Sequence, residues 1–312
     1  MPPLSVIICA HNPRPNYLKR TLQALREQSL SVERWELVLV DNASDQPLAG
    51  RYDLAWHPHG RHVREENHGL TKARLRGIAE SAGKFLVFVD DDNVLEAHYL
   101  LQVLEIASAH PDLGAWSGNV ELRFEEPPPP WTEKFWPFLA QRTVEEDFLV
   151  CSKEFAPACP VGAGLCVRRK VGEHYAAQLQ QSEWRRELDR KGSDLMSAGD
   201  LDLAFTACDL GLCRGVFKAL RLQHLIPPER VTEAYLLRLT EGIQLSSYIL
   251  EMSRDSKKIP PDTNCWWWLK FLCDCATKFG RKRRFYLANK RAQRRARALY
   301  DELKSRTSTC PP

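Results

Sequence analysis

No stretch of this 312-residue chain approaches the ~18 consecutive apolar residues of a membrane-spanning helix. The opening MPPLSVIICAHN lacks the basic start, long apolar run and small-residue cleavage site of a secretory leader, so a soluble, cytoplasmic protein is expected. Ten cysteines are scattered without a CxxC pair, and the single CxC is Cys273 and Cys275. That pattern fits neither a zinc framework nor a small disulfide scaffold, and most of these cysteines are expected to be reduced, buried small hydrophobes. Also missing are a GxxxxGK(S/T) phosphate loop and a GxGxxG after the first strand-like run, which removes P-loop nucleotidases and dinucleotide-dependent oxidoreductases. What remains is globular: 44% hydrophobic, 27% charged and 9% aromatic, long enough for one large core and a smaller appendage.

Charge is unevenly placed. Residues 270–312 carry 13 Lys and Arg against 3 Asp and Glu, a local +10, so the formal +4 of the whole leaves −6 on the other 269 residues. A basic segment appended to an acidic body argues against a dedicated nucleic-acid binder, and no nucleic-acid partner is expected.

Leu4 to Ala10 (LSVIICA) is β-branched, almost wholly apolar and without alternation, which suits a strand covered on both faces. It stops at His11-Asn12-Pro13. Leu18, Leu22 and Leu25 then recur at helical spacing, and Trp35 to Val40 (WELVLV) forms a second apolar run closed by Asp41-Asn42. A further helix is predicted over LTKARLRGIAESAG, with Leu70, Ala73, Leu75 and Ile78 inward and Gly83 as its stop; Phe85 to Val89 then runs into Asp90-Asp91-Asp92. Repeated βα units with buried strands imply a doubly wound, parallel sheet, and ligands of such sheets bind beyond the carboxyl ends of the strands. Three polar clusters would meet there. Asn and Asp also make good turns and caps, but three adjacent carboxylates repel one another and call for a cation to hold them.

At this point the residues resemble the inverting, GT-A-fold glycosyltransferases of family 2. The likeness runs in order through LSVIICAHN, LVLVDNAS, ENHGLTKARLRGIAE, FLVFVDDDN, VGAGLCVRR, SAGDLDLAF and HLIPPERVTEAYLLRL, covering roughly residues 4–240. It implies a Rossmann-like, mostly parallel α/β sheet flanked by helices over residues 1–230, followed by a helical, basic extension over 231–312. It further implies a nucleotide-diphosphate sugar as donor substrate and Mg²⁺ or Mn²⁺ as cofactor. By the same resemblance Asp41 accepts from the base, bordered by Ala10 and His11, and Asn67 and Arg74 lie against the nucleotide. Asp90-Asp91-Asp92 resembles the DXD element, with Asp90 on the ribose, Asp91 beside the donor and Asp92 on the metal and diphosphate. His224 completes the metal shell, and Gly162 and Gly164 flank the donor sugar and acceptor.

SAGDLDLAF resembles the family's E-D-x-E-L string with Gly199 in place of Glu, which puts Asp200 at the position of the catalytic base. Asp202 competes, but helix geometry turns it ~200° away. The family's processive members carry Q-x-x-R-W, which Gln181-Ser182-Glu183-Trp184 does not match, so transfer of one sugar by a non-processive, bacterial-type enzyme is expected. The acceptor is expected to be a glycan, a polysaccharide or a lipid-linked precursor. Two rivals are carried: a donor-binding protein with a degenerate site, suggested by Gly199, and a sugar nucleotidylyltransferase, opposed by the glycine-free HNPRPN.

Other histidines stay unassigned; WHPHGRHVREENH, with His57, His59, His62 and His68, reads as a solvated loop. The prolines of 127–130 exclude helix or central strand there, and Trp131 and Trp136 suit either a sugar face or the core. From about 231 the pattern turns helical, with a break at Pro260-Pro261. The Trp266-Trp267-Trp268 patch beside Arg281-Lys282-Arg283-Arg284 suits either peripheral contact with an anionic membrane through 265–300 or packing of the extension with a solvated basic face.

Overall fold

A computed structural model of the chain describes residues 2–152, 159–190, 194–255 and 264–308. The chain divides into two compact units, residues 1–182 with 199–231, and residues 183–198 with 232–312. In the first, the strands are β1 (Leu4–Ala10), β2 (Trp35–Asn42), β3 (Gly60–Glu65), β4 (Phe85–Asp90), β5 (Asn93–Leu95), β6 (Leu113–Phe124), β7 (Phe148–Val150), β8 (Cys166–Arg168) and β9 (Cys213–Ile226). Its helices are α1 (Pro15–Arg26), α2 (Leu70–Glu80), α3 (Tyr99–Ala109), α4 (Arg169–Gln181) and α6 (Gly199–Asp209), while α5 (Glu183–Arg186), α7 (Glu233–Arg254), α8 (Cys265–Thr277) and α9 (Gly280–Ser308) belong to the second.

The sheet runs in the order β3-β2-β1-β4-β8-β6-β9-β5, with β7 on β9. Its first four strands are parallel, with β1, β2 and β4 the buried apolar runs, and β6 pairs β9 in parallel; β8, β5 and β7 are antiparallel. Ile7 and Ile8 are fully buried on opposite faces of β1, so helices cover both sides. Leu18, Leu22 and Leu25 are buried on α1, and Ala73 and Ile78 on α2, while Leu70 and Leu75 are half-covered. This is the GT-A fold, with helices following in the carboxyl-terminal residues. The chain contains no helix, among its described residues, long and apolar enough to cross a membrane.

Several expectations are corrected. The histidine-rich segment is not a solvated loop: it supplies β3, and His57 is buried 4.2 Å from the Trp35 ring. Gly83 does not stop α2, which ends at Glu80 with Ser81 as its C-cap; a Cβ on Gly83 would lie 2.5 Å from Ser5 Oγ, so glycine is there for close approach. The proline stretch leads into a 3₁₀ helix, Pro130–Leu139, where Trp131 and Trp136 are half-buried. Seven of the nine described cysteines are free, as expected of most of them, while Cys151, just after β7, is bonded to Cys213 at the start of β9, covalently tying together two strands that already pair. Cys159, Cys166 and Cys208 are free and buried. The break at Pro260-Pro261 lies outside the described residues.

In the second unit α7 packs on α9 through Phe285, Ala288, Ala292 and Ala296, a buried small-residue stripe on an otherwise basic helix. Glu233 receives Arg281 and Arg284, and Glu241 receives Arg291 and Arg295.

Burial, with a lesser push from His59, drives the pKa of His57 down to about 4. Its Nδ1 accepts the His59 N–H at 3.1 Å, while Nε2 is buried with no hydrogen-bond partner. A depressed folded pKa gives stability that is full above the unfolded value near 6.5 and drains as pH falls toward 4. Urea melts should lose on the order of 2 kcal/mol over that window, and His57→Asn, which keeps an acceptor for the His59 N–H, should flatten the slope there.

Candidate active site

The register of the parallel strands builds the site. Ala10 pairs Asp41 and Cys9 pairs Asp90, so the ends of β2 and β4 flank that of β1. The chain goes from β1 outward to β2 and β3, then returns to β4 on the other side, which opens a crevice beyond β1 and β4.

On the β2 side, Asp41 is buried, with one carboxylate oxygen accepting Ser44 N–H (3.0 Å) and the other Leu48 N–H (3.0 Å) and Arg64 Nη1 (2.7 Å). Burial raises its pKa, but these donors outweigh it and leave the carboxyl below its usual value. Asp41 thus organises the turn after β2. Asn42 is the hub beside it: its side chain donates to Asn67 O (2.8 Å) and accepts Gly69 N–H (2.8 Å), and its carbonyl takes His11 Nδ1–H (2.8 Å). His11 is exposed and meets the His68 ring edge-on at 4.3 Å. Asn12 and Ala43 adopt left-handed φ of 46° and 52°, strain concentrated where two polar loops interlock. Ala10 is buried as the last residue of β1, and Arg74 is buried on α2.

On the β4 side, Asp90 and Asp91 are half-covered and Asp92 is buried. Burial, then repulsion from Asp92 and Asp90, pushes the Asp91 carboxyl well above the usual carboxylate range. β5 pairs β9 with Asn93 opposite His224, which brings His224 Nε2 to 3.4 Å from Asp92 Oδ2. His224 Nδ1–H donates to Leu139 O (2.8 Å), so Nε2 carries the lone pair. Arg230 Nη1 approaches both atoms, 3.0 Å from Asp92 Oδ2 and 3.1 Å from Nε2. One carboxylate oxygen and one imidazole nitrogen therefore converge on a single position that a cation already takes, and this donor set fits a hard-to-borderline divalent ion completed by phosphate oxygens.

Asp200, at the start of α6, accepts Gly162 N–H on Oδ2 (2.7 Å) and Leu201 N–H on Oδ1 (2.8 Å). A Cβ on Gly162 would fall 2.8 Å from that Oδ2, so only glycine lets the carboxylate sit there. Gly164 has φ +69°, and a Cβ would collide with Tyr99 Oη at 2.3 Å. Asp202 is fully buried, whereas Asp200 is half-exposed. Arg142, its pKa lowered by burial, lies close enough to feel Cys159 and Asp200. Asn42 belongs to one of the three rim clusters expected from the sequence, whereas Arg64, Arg142 and Arg230 were not singled out; HLIPPERV carried the one available signal, an arginine six residues after His224.

Residues 5–158 match the family model described as Glycosyl transferase family 2. Among curated proteins, the chain is 30% identical over 128 residues to Glycosyltransferase AglE of Haloferax volcanii, covering 40% of this chain and 41% of that one. It is 31% identical over 134 residues to Uncharacterized glycosyltransferase YibD of Escherichia coli, covering 41% and 37%. The chain spans 12% to 41% of the length of such relatives. A crystal structure of S. aureus TarS 1-349 superposes with a TM-score of 0.50 at 15% identity, covering 97% of this chain and 92% of that one, a likeness of fold.

Because Arg230 and a divalent ion would contend for the same two atoms, Arg230→Gln should tighten Mn²⁺ binding to the donor-free protein by about tenfold, roughly 1.4 kcal/mol. Asp92→Ala should abolish that binding; electron paramagnetic resonance of free Mn²⁺ reads both.

Proposed function

The chain belongs to glycosyl transferase family 2 through its residues 5–158, and on that premise we propose that it moves one sugar from a nucleotide-diphosphate donor to an acceptor hydroxyl, inverting the anomeric carbon. The acceptor class is a glycan, a polysaccharide or a lipid-linked precursor. The observation that carries the reading is Asp200: a half-exposed carboxylate at a helix start, held by the Gly162 N–H and without the volume of a side chain at 162 to block it.

In this reading the acceptor O–H gives its proton to Asp200 as its oxygen bonds to the anomeric carbon. The bond from that carbon to the diphosphate breaks on the opposite face, and the nucleoside diphosphate leaves. The helix N-terminus favours the ionised carboxylate before attack. His11, Asn67 and Arg74, with the turn that Asp41 organises, hold the nucleotide; Asp90 and Asp91 face the ribose and diphosphate. Asp92 and His224 would hold Mg²⁺ or Mn²⁺, which supplies charge neutralisation of the departing diphosphate. Arg230, once released from Asp92, adds a second cation to that end of the site.

Asp200→Asn should lower transfer by about 10²–10⁴-fold while leaving the thermal shift given by the matching nucleotide sugar and Mn²⁺ intact. Gly162→Ala should lower transfer through displacement of the same carboxylate, with little change in donor binding. Donor binding by wild type without turnover toward any acceptor, water included, would overturn the transfer reading. Diphosphate release from a nucleoside triphosphate and sugar phosphate would replace it with nucleotidyl transfer.

A further inference from the structure

Helix α8 has two apolar faces and uses only one. At about 100° per residue, Trp267, Phe271 and Cys275 fall on one side, and Trp266, Trp268, Leu269, Leu272, Cys273 and Ala276 on the other. The first side is packed: the Trp267 indole donates to Gln293 on α9 and lies 5.1 Å below Lys290 Nζ, while Phe271 stacks on Tyr286 at 6.2 Å. The second side faces out. Trp266 is 76% exposed, Leu269 55%, Leu272 60%, and Phe279, just beyond the helix, 76%. Every residue of that side is exposed, and no large apolar side chain elsewhere in the described residues matches Trp266 and Phe279 in exposure.

The surroundings say what covers it. Lys270, Lys282 and Arg283 are exposed, within four residues of the patch or of Phe279, and among the described residues none is within ion-pair distance of a carboxylate, although Lys270 lies near enough to Asp274 to help lower its pKa; Arg281, Arg284, Arg291 and Arg295, by contrast, are committed to Glu233 and Glu241. Arg294 sits 5.4 Å from the Trp268 ring. An apolar protein partner would want charge depleted around such a patch, whereas lysine and arginine ringing exposed tryptophans match anionic headgroups above acyl chains. At 13 residues, α8 is too short to span and suited to lie in the interface.

We propose that the outward face of α8, with Phe279 and the cations Lys270, Lys282 and Arg283, is a docking surface for an anionic lipid membrane, a role independent of sugar transfer. The test is co-flotation of the full chain with vesicles of equal parts phosphatidylcholine and phosphatidylglycerol, beside vesicles of phosphatidylcholine alone. Strong partition onto the anionic vesicles and little onto the neutral ones is expected. The double variant Trp266→Ser with Leu269→Ser, which removes two of the exposed apolar side chains, should lose at least about tenfold in partition. Lys282→Glu with Arg283→Glu should lose a similar factor only on anionic vesicles. Circular dichroism checks that the variants remain folded, and the expected spectra match wild type. Absence of flotation, or equal flotation by the apolar double variant, overturns the proposal. So does concentration-dependent dimerisation in sedimentation that the apolar variant abolishes, since the occupant would then be a second copy of the chain.

Discussion

Everything at the candidate site depends on β1 having no solvated face and no free edge. It is hydrogen-bonded in parallel to β2 and β4, and Ile7 and Ile8 are buried on opposite faces, so both connections must cross over the sheet and both leave their loops at the same carboxyl rim. The packing tolerates nothing extra. A Cβ on Gly77 would lie 2.3 Å from Ile7 Cγ2, which means that α2, the helix bearing Arg74, reaches its depth only because a glycine faces β1. The position of the polar rim is thus a consequence of apolar packing beneath it.

At that rim, charge is managed by assignment of partners. Asp41 is kept ionised by two backbone N–H groups and Arg64, so its burial stabilises a turn instead of creating a reactive acid. The three carboxylates after β4 are adjacent and repel one another. Asp91 bears the cost as a raised pKa, while Asp92 is compensated by Arg230, a residue 138 positions away in sequence. Adjacent carboxylates repel, and a guanidinium brought by tertiary contact offsets part of that charge.

How much of this was legible in the sequence follows from the range of the interactions involved. β1, β2, β4, α1 and α2 are written in local periodicity, and the residues at the strand ends could be listed because parallel topology fixes where such ends go. β3 was missed because its apolar content is slight, with Val63 its one fully buried side chain; it is a strand by virtue of pairing with β2, not by propensity. His57 looked solvated among polar neighbours, but it is buried by Trp35, 22 residues earlier. Arg64, Arg142 and Arg230 escaped for the same reason: each gains its role from a partner brought by tertiary contact. The family resemblance supplied His224 and Asp200, which spacing alone would have left as a lone histidine and a helix-start acid.

Net charge misleads in the same way. The +10 of residues 270–312 suggests a uniformly basic surface, yet four of its arginines are spent on Glu233 and Glu241, fixing α9 against α7, and Arg297 pairs with Asp301 within its own helix. Exposed pairs of this kind contribute little each, roughly 0–1 kcal/mol, but they set which cations are left over. The buried face of α9 is Phe285 with three alanines, so the helix is fixed mainly by small-residue packing and its charges orient it. α8 inverts that arrangement, with large aromatics on both sides and few charges. A segment built only to be soluble would have placed its tryptophans inward and its arginines outward; here the aromatic excess is outward, beside exposed lysines and arginines that form no ion pair among the described residues.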